Sequence, residues 1–516
     1  MNQEIRILGY CELGESEILA KFDAEGAESL RNLRGEYTLV IENSDETYVI
    51  VSPVGTLHYY YTVQNGKLYH SDKLVEIIGQ SGLAWEWDWR AMGDLCQLEH
   101  VMENLSLHRH IKKVPPGSVL NFKDGKLGLE SRQWVDSIEP GKSDPEEALN
   151  ALNDEVAYWA GNNPFISFSG GFDTRVILSS LLKQGIKPNL ITRDSDNSFD
   201  VMISRQIASK FGLNHDVINM DLDDFFTHAS DISVLTNGSM TARHWHTYIY
   251  PHKTGIGKEN TFYVGTLGEF ARLAFLDKGF LSKMAAVFPE QAIYKFWKKK
   301  LGRNCTFTDE ELKGLAPEFR AQLDDSGRNE RSRRLIKLFH HDLLSGFARW
   351  VIEQRVPNFN ANGVKMYLAS TNWVSPFHSR EWISEIWRLG DEWKFGSNWH
   401  RYAIEKNFPE LLAFQEKKGA AKGRMLPRAP LFYWSPIGQY ATSRNENVSE
   451  NWYRSDKISK FLIENIDEIG DVIDPGTIRS ILASHLAGTD RTRALAFLLA
   501  MISWKLEVKK AIAIAN

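Results

Sequence analysis

The chain has 516 residues, more than one hydrophobic core usually serves, so two domains, or one with a large appendage, are expected. A charged fraction of 25%, a hydrophobic fraction of 43% and a mean hydropathy of -0.34 exclude the disordered and fibrous classes. The net charge of -5 excludes a chain built around nucleic acid or anionic membrane and leaves room for local basic patches.

Cys11, Cys96 and Cys305 stand far apart, with no CxxC pair and no histidine at metal spacing, so reduced thiols in a cytoplasmic protein are expected. The first residues lack the basic start and continuous apolar stretch of a signal peptide. The apolar run 494–502 is too short to span a bilayer, which takes about 20 residues.

Up to about Trp134 the pattern predicts short strands at 5–10, 37–42, 47–52, 58–62 and 67–71, with hairpins dominating. A further hairpin is predicted over 117–134, turning at Asp124-Gly125 and entered through the stiff Pro115-Pro116-Gly117. The polar, proline-bearing stretch 139–145 then marks a boundary, giving domains at 1–136 and 145–516. Beyond it the spacing predicts a helix over 148–160, a strand at 165–168, a helix over 173–183 and a strand at 189–192, which is a βαβ unit with a parallel sheet. A helix over 200–211, a strand at 215–220 and another at 261–264 follow, and the chain reads as mostly helical beyond Ala271.

The informative segment is Phe165-Ile166-Ser167-Phe168-Ser169-Gly170-Gly171-Phe172-Asp173-Thr174, an apolar strand that runs through Ser-Gly-Gly into a helix. Glycines let backbone N–H groups approach an anion, and the helix N-terminus adds about half a positive charge, so the segment predicts a phosphate cradle. Ser169 and Thr174 offer hydroxyl donors, and Asp173 beside a bound anion makes sense when a divalent cation bridges them. The plain alternative is an ordinary strand-to-helix turn with Asp173 as a capping residue.

SGGFDT resembles the SGGxD(S/T) pyrophosphate loop of N-type ATP pyrophosphatases, which split ATP between the α and β phosphates. Ile191-Thr192-Arg193 and the helix from Asp200 are similar to the adenine-side loop and helix of asparagine synthetase-like proteins, and Gly265-Thr266-Leu267-Gly268-Glu269 resembles that family's second glycine-rich turn, with Glu269 where Asp is usual. Further resemblances are Arg34-Gly35-Glu36-Tyr37, Ser52-Pro53-Val54-Gly55, Tyr59-Tyr60 and Val114-Pro115-Pro116-Gly117, which look like the family's class II glutaminase scaffold. That domain's nucleophile is a cysteine exposed as the first residue, whereas Met1 is followed here by Asn2 and Gln3, so the resemblance implies a glutaminase-like domain that does not hydrolyse glutamine, as in β-lactam synthetases and lasso peptide cyclases.

The resemblance implies an α/β fold, with an N-terminal sandwich of mainly antiparallel strands, then a doubly wound parallel sheet and a helical C-terminal part. It implies a carbon–nitrogen ligase that adenylates a carboxylate with ATP and Mg2+, releases pyrophosphate and passes the acyl group to an amine, in peptide or natural-product biosynthesis. Ser169, Gly170, Gly171, Asp173, Thr174, Thr192 and Gly265 would hold the nucleotide, Asp173 and Glu269 the metal, and Lys417 would steady the transition state, with Lys418 as the alternative register. Lys417 also reads as part of a solvated basic run, 414–423. Asn372 stands where asparagine and β-lactam synthetases carry a Glu before Pro-Phe. Partners are a carboxylate and an amine substrate, a peptide among the candidates, with a leader peptide or carrier left open and no nucleic acid or membrane span. A non-catalytic relative and an adenylating tRNA-modifying enzyme remain as alternatives.

Three weaker groups complete the reading. Arg243, His244, His246 and His252 read as structural or substrate-lining rather than metal-binding. Arg328, Arg331, Arg333 and Arg334, with Lys298 to Lys300, read as solvated helix faces or as a dock for an acidic peptide or carrier. The 16 tryptophans read as packing.

Overall fold

The computed structural model describes residues 3–131, 134–139, 141–193, 198–272, 306–337, 348–394, 397–415 and 452–515. Eight strands are described in the first part: β1 (Glu4–Cys11), β2 (Gly35–Glu42), β3 (Glu46–Val51), β4 (Tyr60–Gln64), β5 (Lys67–Ser71), β6 (Lys112–Lys113), β7 (Ser118–Lys123) and β8 (Lys126–Ser131). They form two antiparallel sheets, ordered β1-β2-β3-β7-β8 and β5-β4-β6. Period-two alternation decides how the sheets are covered. Tyr37, Leu39, Ile41 and Ile50 pack on Ile18 of the helix Glu15–Glu25, while Val40, Val49, Val51 and Leu120 pack on Tyr59 and Leu68 at the second sheet. Gly35 closes the β1–β2 pair at φ +118, where a Cβ would stand 2.3 Å from the Tyr10 carbonyl oxygen.

The β7–β8 hairpin turns at Asp124 (φ 50) and Gly125 (φ 72), the two positive-φ positions a type I′ turn needs. β4 begins at Tyr60, two residues later than expected, because His58 turns toward the rest of the chain and bonds the Pro357 carbonyl. Helices at Glu15–Glu25, Leu74–Ser81 and Trp89–Leu98 break what read as a run of hairpins. Asp88 caps the last of these by accepting from the Ala91 N–H, a start signal that the strand reading passed over.

Asp144 and Glu147 form a reciprocal capping box on the helix Pro145–Trp159. Five parallel strands follow: β9 (Phe165–Ser167), β10 (Asn189–Arg193), β11 (His215–Ile218), β12 (Thr261–Val264) and β13 (Asn372–Val374), ordered β11-β10-β9-β12-β13. The helices Phe172–Lys183 and Phe199–Phe211 connect β9 to β10 and β10 to β11. The sheet grows outward from β9 in both directions, so the fold is mixed α/β with a doubly wound parallel sheet. β13 lies inside the stretch read as helical, and three residues are too few for a period-two signal to register.

The C-terminal helix Thr492–Ala515 carries the apolar run, with Ala494 to Ile502 buried in one core with Leu74, Ile77, Trp87 and Leu95 of the first part. An all-apolar stretch therefore serves as the centre of a shared core. Among the described residues no helix is long and apolar enough to cross a membrane. Trp245, Trp350, Trp373, Trp382, Trp399 and Trp504 are all fully buried, as packing requires.

The arginine-rich helix Asp325–Ile336 corrects the expectation of a solvated face. Arg331 is 1% exposed and donates to Asp94 (2.7 Å) and Gln97 (2.7 Å), and Arg334 reaches both Asp94 and Glu103. Arg333 is exposed as expected, and Arg328 is half-buried and pairs with an exposed Asp325; Lys298 to Lys300 lie outside the described residues. Removing one partner from a buried pair strands the other charge, so Asp94→Ala should cost about 3–5 kcal/mol in urea unfolding. Arg328→Ala should cost less than about 1 kcal/mol.

Candidate functional site

The strand order places a crevice between β9 and β12, at the C-terminal edge where the direction of winding reverses. Two glycine turns meet there. The first leaves β9 at Phe168 and enters the helix Phe172–Lys183 at Gly171, an N-terminal position with no side-chain cap, so the N–H groups of the first turn lack side-chain acceptors. Gly170 sits at φ +66, where a Cβ would come 2.7 Å from Ile203. The second turn follows β12: a Cβ on Gly268 would fall 2.7 Å from the Asp173 Cβ, and one on Gly265 would fall 3.1 Å from it. Both glycines permit backbone to lie directly against Asp173.

Asp173 is held from two sides. Its Oδ2 accepts from Arg272 Nη2 at 2.7 Å, and its Oδ1 lies 2.9 Å from Nε2 of the fully buried His400 on the helix Asn398–Asn407. The His400 contact is close but poorly aligned, which leaves Oδ1 buried without a directed hydrogen bond. Burial pushes the Asp173 pKa up, but Arg272 and His400 outweigh it and hold the carboxyl below its ordinary value. Glu269, half-buried, follows Gly268 directly and acts on Arg355 of the π-helical stretch Val351–Asn360.

The family model for the glutamine amidotransferase domain matches residues 13–134. Over 232 residues the chain is 23% identical to Asparagine synthetase [glutamine-hydrolyzing] 1 of Bacillus subtilis (strain 168), a match covering 42% of this chain and 36% of that protein. The chain thus spans about a third of the length of the curated relative it matches. The first part of the chain thus matches a glutamine amidotransferase domain, and the chain is similar to an asparagine synthetase.

The sequence-derived candidates fall into three groups. Gly170, Gly171, Asp173, Thr174, Gly265 and Glu269 come together at the two turns. The hydroxyls are more occupied than expected. Thr174 Oγ1 donates to the Gly171 carbonyl, and Thr192 Oγ1, fully buried, donates to the Phe168 carbonyl beside His215, so Ser169 is the exposed hydroxyl of the set. Lys417 and Lys418 lie outside the described residues. Asn372 opens β13, paired with Thr261.

The histidine group holds no metal constellation, and among the described residues no cluster of three or more potential ligands occurs. His244 and Arg243 instead face Glu99, at 3.6 and 2.5 Å. His246 meets the Arg243 carbonyl, and His252 stacks on Tyr248.

Sequence reasoning missed Arg175. Its side chain is 1% exposed, and its guanidinium donates to the carbonyls of Gly170 (2.7 Å), Leu411 (3.2 Å), Phe414 (3.1 Å) and Gln415 (2.6 Å). It therefore ties the first glycine turn to the chain that leads toward 417. A signal was present: a cation in the first turn of a helix opposes the helix dipole, so its position there needs another reason.

Replacing Gly268 by Ala should force the second turn away from Asp173 and lower stability by about 1–3 kcal/mol, the usual penalty for overpacking. Gly141→Ala, where a Cβ would meet nothing within 4 Å, is the control in the same chemical-denaturation series.

Proposed function

We propose that this chain is an ATP-dependent carbon–nitrogen ligase that adenylates a carboxylate and transfers the acyl group to an amine. The observation that carries this reading is the convergence of two glycine turns on Asp173 at the switch point of a doubly wound sheet, where such folds bind nucleotides. The relative's printed name, a glutamine-hydrolysing asparagine synthetase, is of the same reaction class.

In this reading the uncapped N–H groups after Gly171, with Ser169 and the backbone at Gly265, hold the phosphates, and the backbone at Thr192 borders the adenine side. A magnesium ion fits the donor set: it uses one or two carboxylates and completes its shell with phosphate oxygens and water, and Asp173 Oδ1 is a buried carboxylate oxygen without a directed hydrogen bond. Asp173 and Glu269 would hold the ion, which would neutralise charge on the departing pyrophosphate. A carboxylate oxygen attacks the α-phosphorus and the bond to pyrophosphate breaks; the amine then attacks the acyl carbon, loses a proton and displaces AMP. Arg175 fixes the segment before Lys417, whose ammonium would steady the negative charge of these steps.

Glutamine is not the nitrogen source in this proposal. A thiolate is the nucleophile that hydrolysis needs, and burial raises the pKa of Cys11, whose Sγ donates to the Leu13 carbonyl. Cys96 is buried within a helix. The amine comes from the substrate itself or from ammonia, which suits a peptide or natural-product pathway in the cytoplasm, with a leader peptide or carrier as partner. Asn372 favours a second reading, a non-catalytic relative, because it removes the carboxylate the family places there.

Purified protein with ATP, Mg2+, ammonia and a panel of carboxylates and amino-acid or peptide substrates should release pyrophosphate. Asp173→Asn should abolish that release while the fold persists by circular dichroism; unchanged turnover would reject the metal assignment, and silence of the wild type across the panel would favour the second reading. Lys417→Met should leave ATP binding intact and cut amide formation by about a hundredfold or more. Added glutamine should yield no glutamate above background.

A further inference from the structure

Away from the glycine turns, the first part of the chain meets the π-helical stretch Val351–Asn360 around a cavity of about 200 Å³. Pro115, Pro116, Trp134 and Ile352 give it an apolar wall, and Lys113 and Gln354 are among its polar lining. The site is independent of the nucleotide reading.

Lys113 is 4% exposed, and its Nζ donates to Asn358 Oδ1. Behind it stand Lys365, 7% exposed, and His58, 4% exposed. His58 is oriented by its neighbours: the Pro357 carbonyl, 2.5 Å from Nε2, can only accept, so Nε2 carries the proton. Nδ1 is then left to accept from Lys365 Nζ and the Tyr60 hydroxyl, both at 3.2 Å.

Three basic groups are thus buried together, and among the described residues no carboxylate forms an ion pair with Lys113 or Lys365. The acid that acts on Lys365 is Asp72, which is itself 3.8 Å from Arg6. Two further carboxylates line the cavity, and both are already paired: Glu103 with Arg90 and Arg334, and Glu353 with Arg349. Burial, reinforced by Lys365, pushes the Lys113 pKa down to about 7; burial takes Lys365 to about 7 against the pull of Asp72; and burial with both lysines keeps His58 neutral. Buried amines without a counter-charge are costly, and an ammonium that uses one of its three donors on Asn358 retains hydrogen-bonding capacity facing the cavity.

We propose that this cavity is a binding site for a small monocarboxylate, with the ligand's carboxylate on Lys113 and its short apolar part against Trp134 and the Pro115-Pro116 pair. The volume fits a molecule the size of an amino acid or a short-chain acid. Lys113 is the lysine in the lining, and its single charge matches a monocarboxylate better than a multiply charged anion such as phosphate. An anion beside Lys113 favours the charged amine and so draws a proton into the protein.

The test is calorimetric titration of the full chain with sodium propionate at pH 8, in two buffers of different ionisation enthalpy. The expected result is saturable binding with uptake of close to one proton, and affinity lowered by about tenfold or more in Lys113→Gln, the loss of one charge-assisted hydrogen bond. Lys365→Met, one residue removed from the cavity, should still bind propionate, which guards against misfolding of the first variant. Absence of saturable binding, binding without proton uptake, equal affinity in a folded Lys113→Gln, or tighter binding of inorganic phosphate than of propionate would each overturn the proposal.

Discussion

The close approach of the second glycine turn to Asp173 is the constraint on which the candidate site depends. Gly265 and Gly268 bring backbone against the Asp173 side chain where any other residue would place a Cβ within about 3 Å of it. The approach is possible because β9 and β12 are hydrogen-bonded neighbours, with Phe262 opposite Phe165 and Val264 opposite Ser167, so the turns that follow them leave the sheet side by side. Arg272 and His400 then draw on the same carboxylate from two further elements. Asp173 thus gathers a strand end, a helix N-terminus, a short helical turn and the helix Asn398–Asn407 around one charged group.

Arg175 performs the matching task for the backbone. A buried guanidinium bonded to four carbonyls has exchanged hydration for directed hydrogen bonds, and removing it would leave those carbonyls unsatisfied. It couples the geometry of the Ser-Gly-Gly turn to residues 411–415. The π-helical stretch Val351–Asn360 joins two other regions: Arg355 lies in the field of Glu269, while Glu353, Gln354 and Asn358 line the cavity beside Lys113. Pro357 within it lacks an N–H, so the helix ladder is interrupted there, and the proline carbonyl accepts from His58.

The two parts of the chain are less separate than a linear reading suggests. The polar stretch before Asp144 marks a change from antiparallel to parallel strands, yet helices from the first part bury Leu74, Ile77 and Leu95 against Leu495, Leu498 and Ile502 of the C-terminal helix. Asp94 and Glu103 from the first part neutralise Arg331 and Arg334 from the second. A boundary in composition is a local property; a core is assembled by whatever apolar faces the topology brings together.

Local chemistry was legible in the sequence. The hairpin at Asp124-Gly125, the βαβ unit from Phe165, the helix expected over 148–160 and the Ser-Gly-Gly turn each depend on residues within a few positions of one another, so propensity, turn chemistry and periodicity identified them. The resemblance to asparagine synthetase-like proteins rested on the same motifs, and the match to a glutamine amidotransferase domain agrees with it. What tertiary structure decided were the properties that depend on residues far apart in the chain. These include β13 completing the sheet, Arg331 buried and Arg334 paired with Asp94 and Glu103 rather than solvated, the hydroxyls of Thr174 and Thr192 committed to backbone carbonyls, and Arg175 clamping 411–415. The buried amines of Lys113 and Lys365 belong to this second group, because a lysine's charge state is set by the solvent and partners that the fold leaves it, and neither is written in the residues beside it.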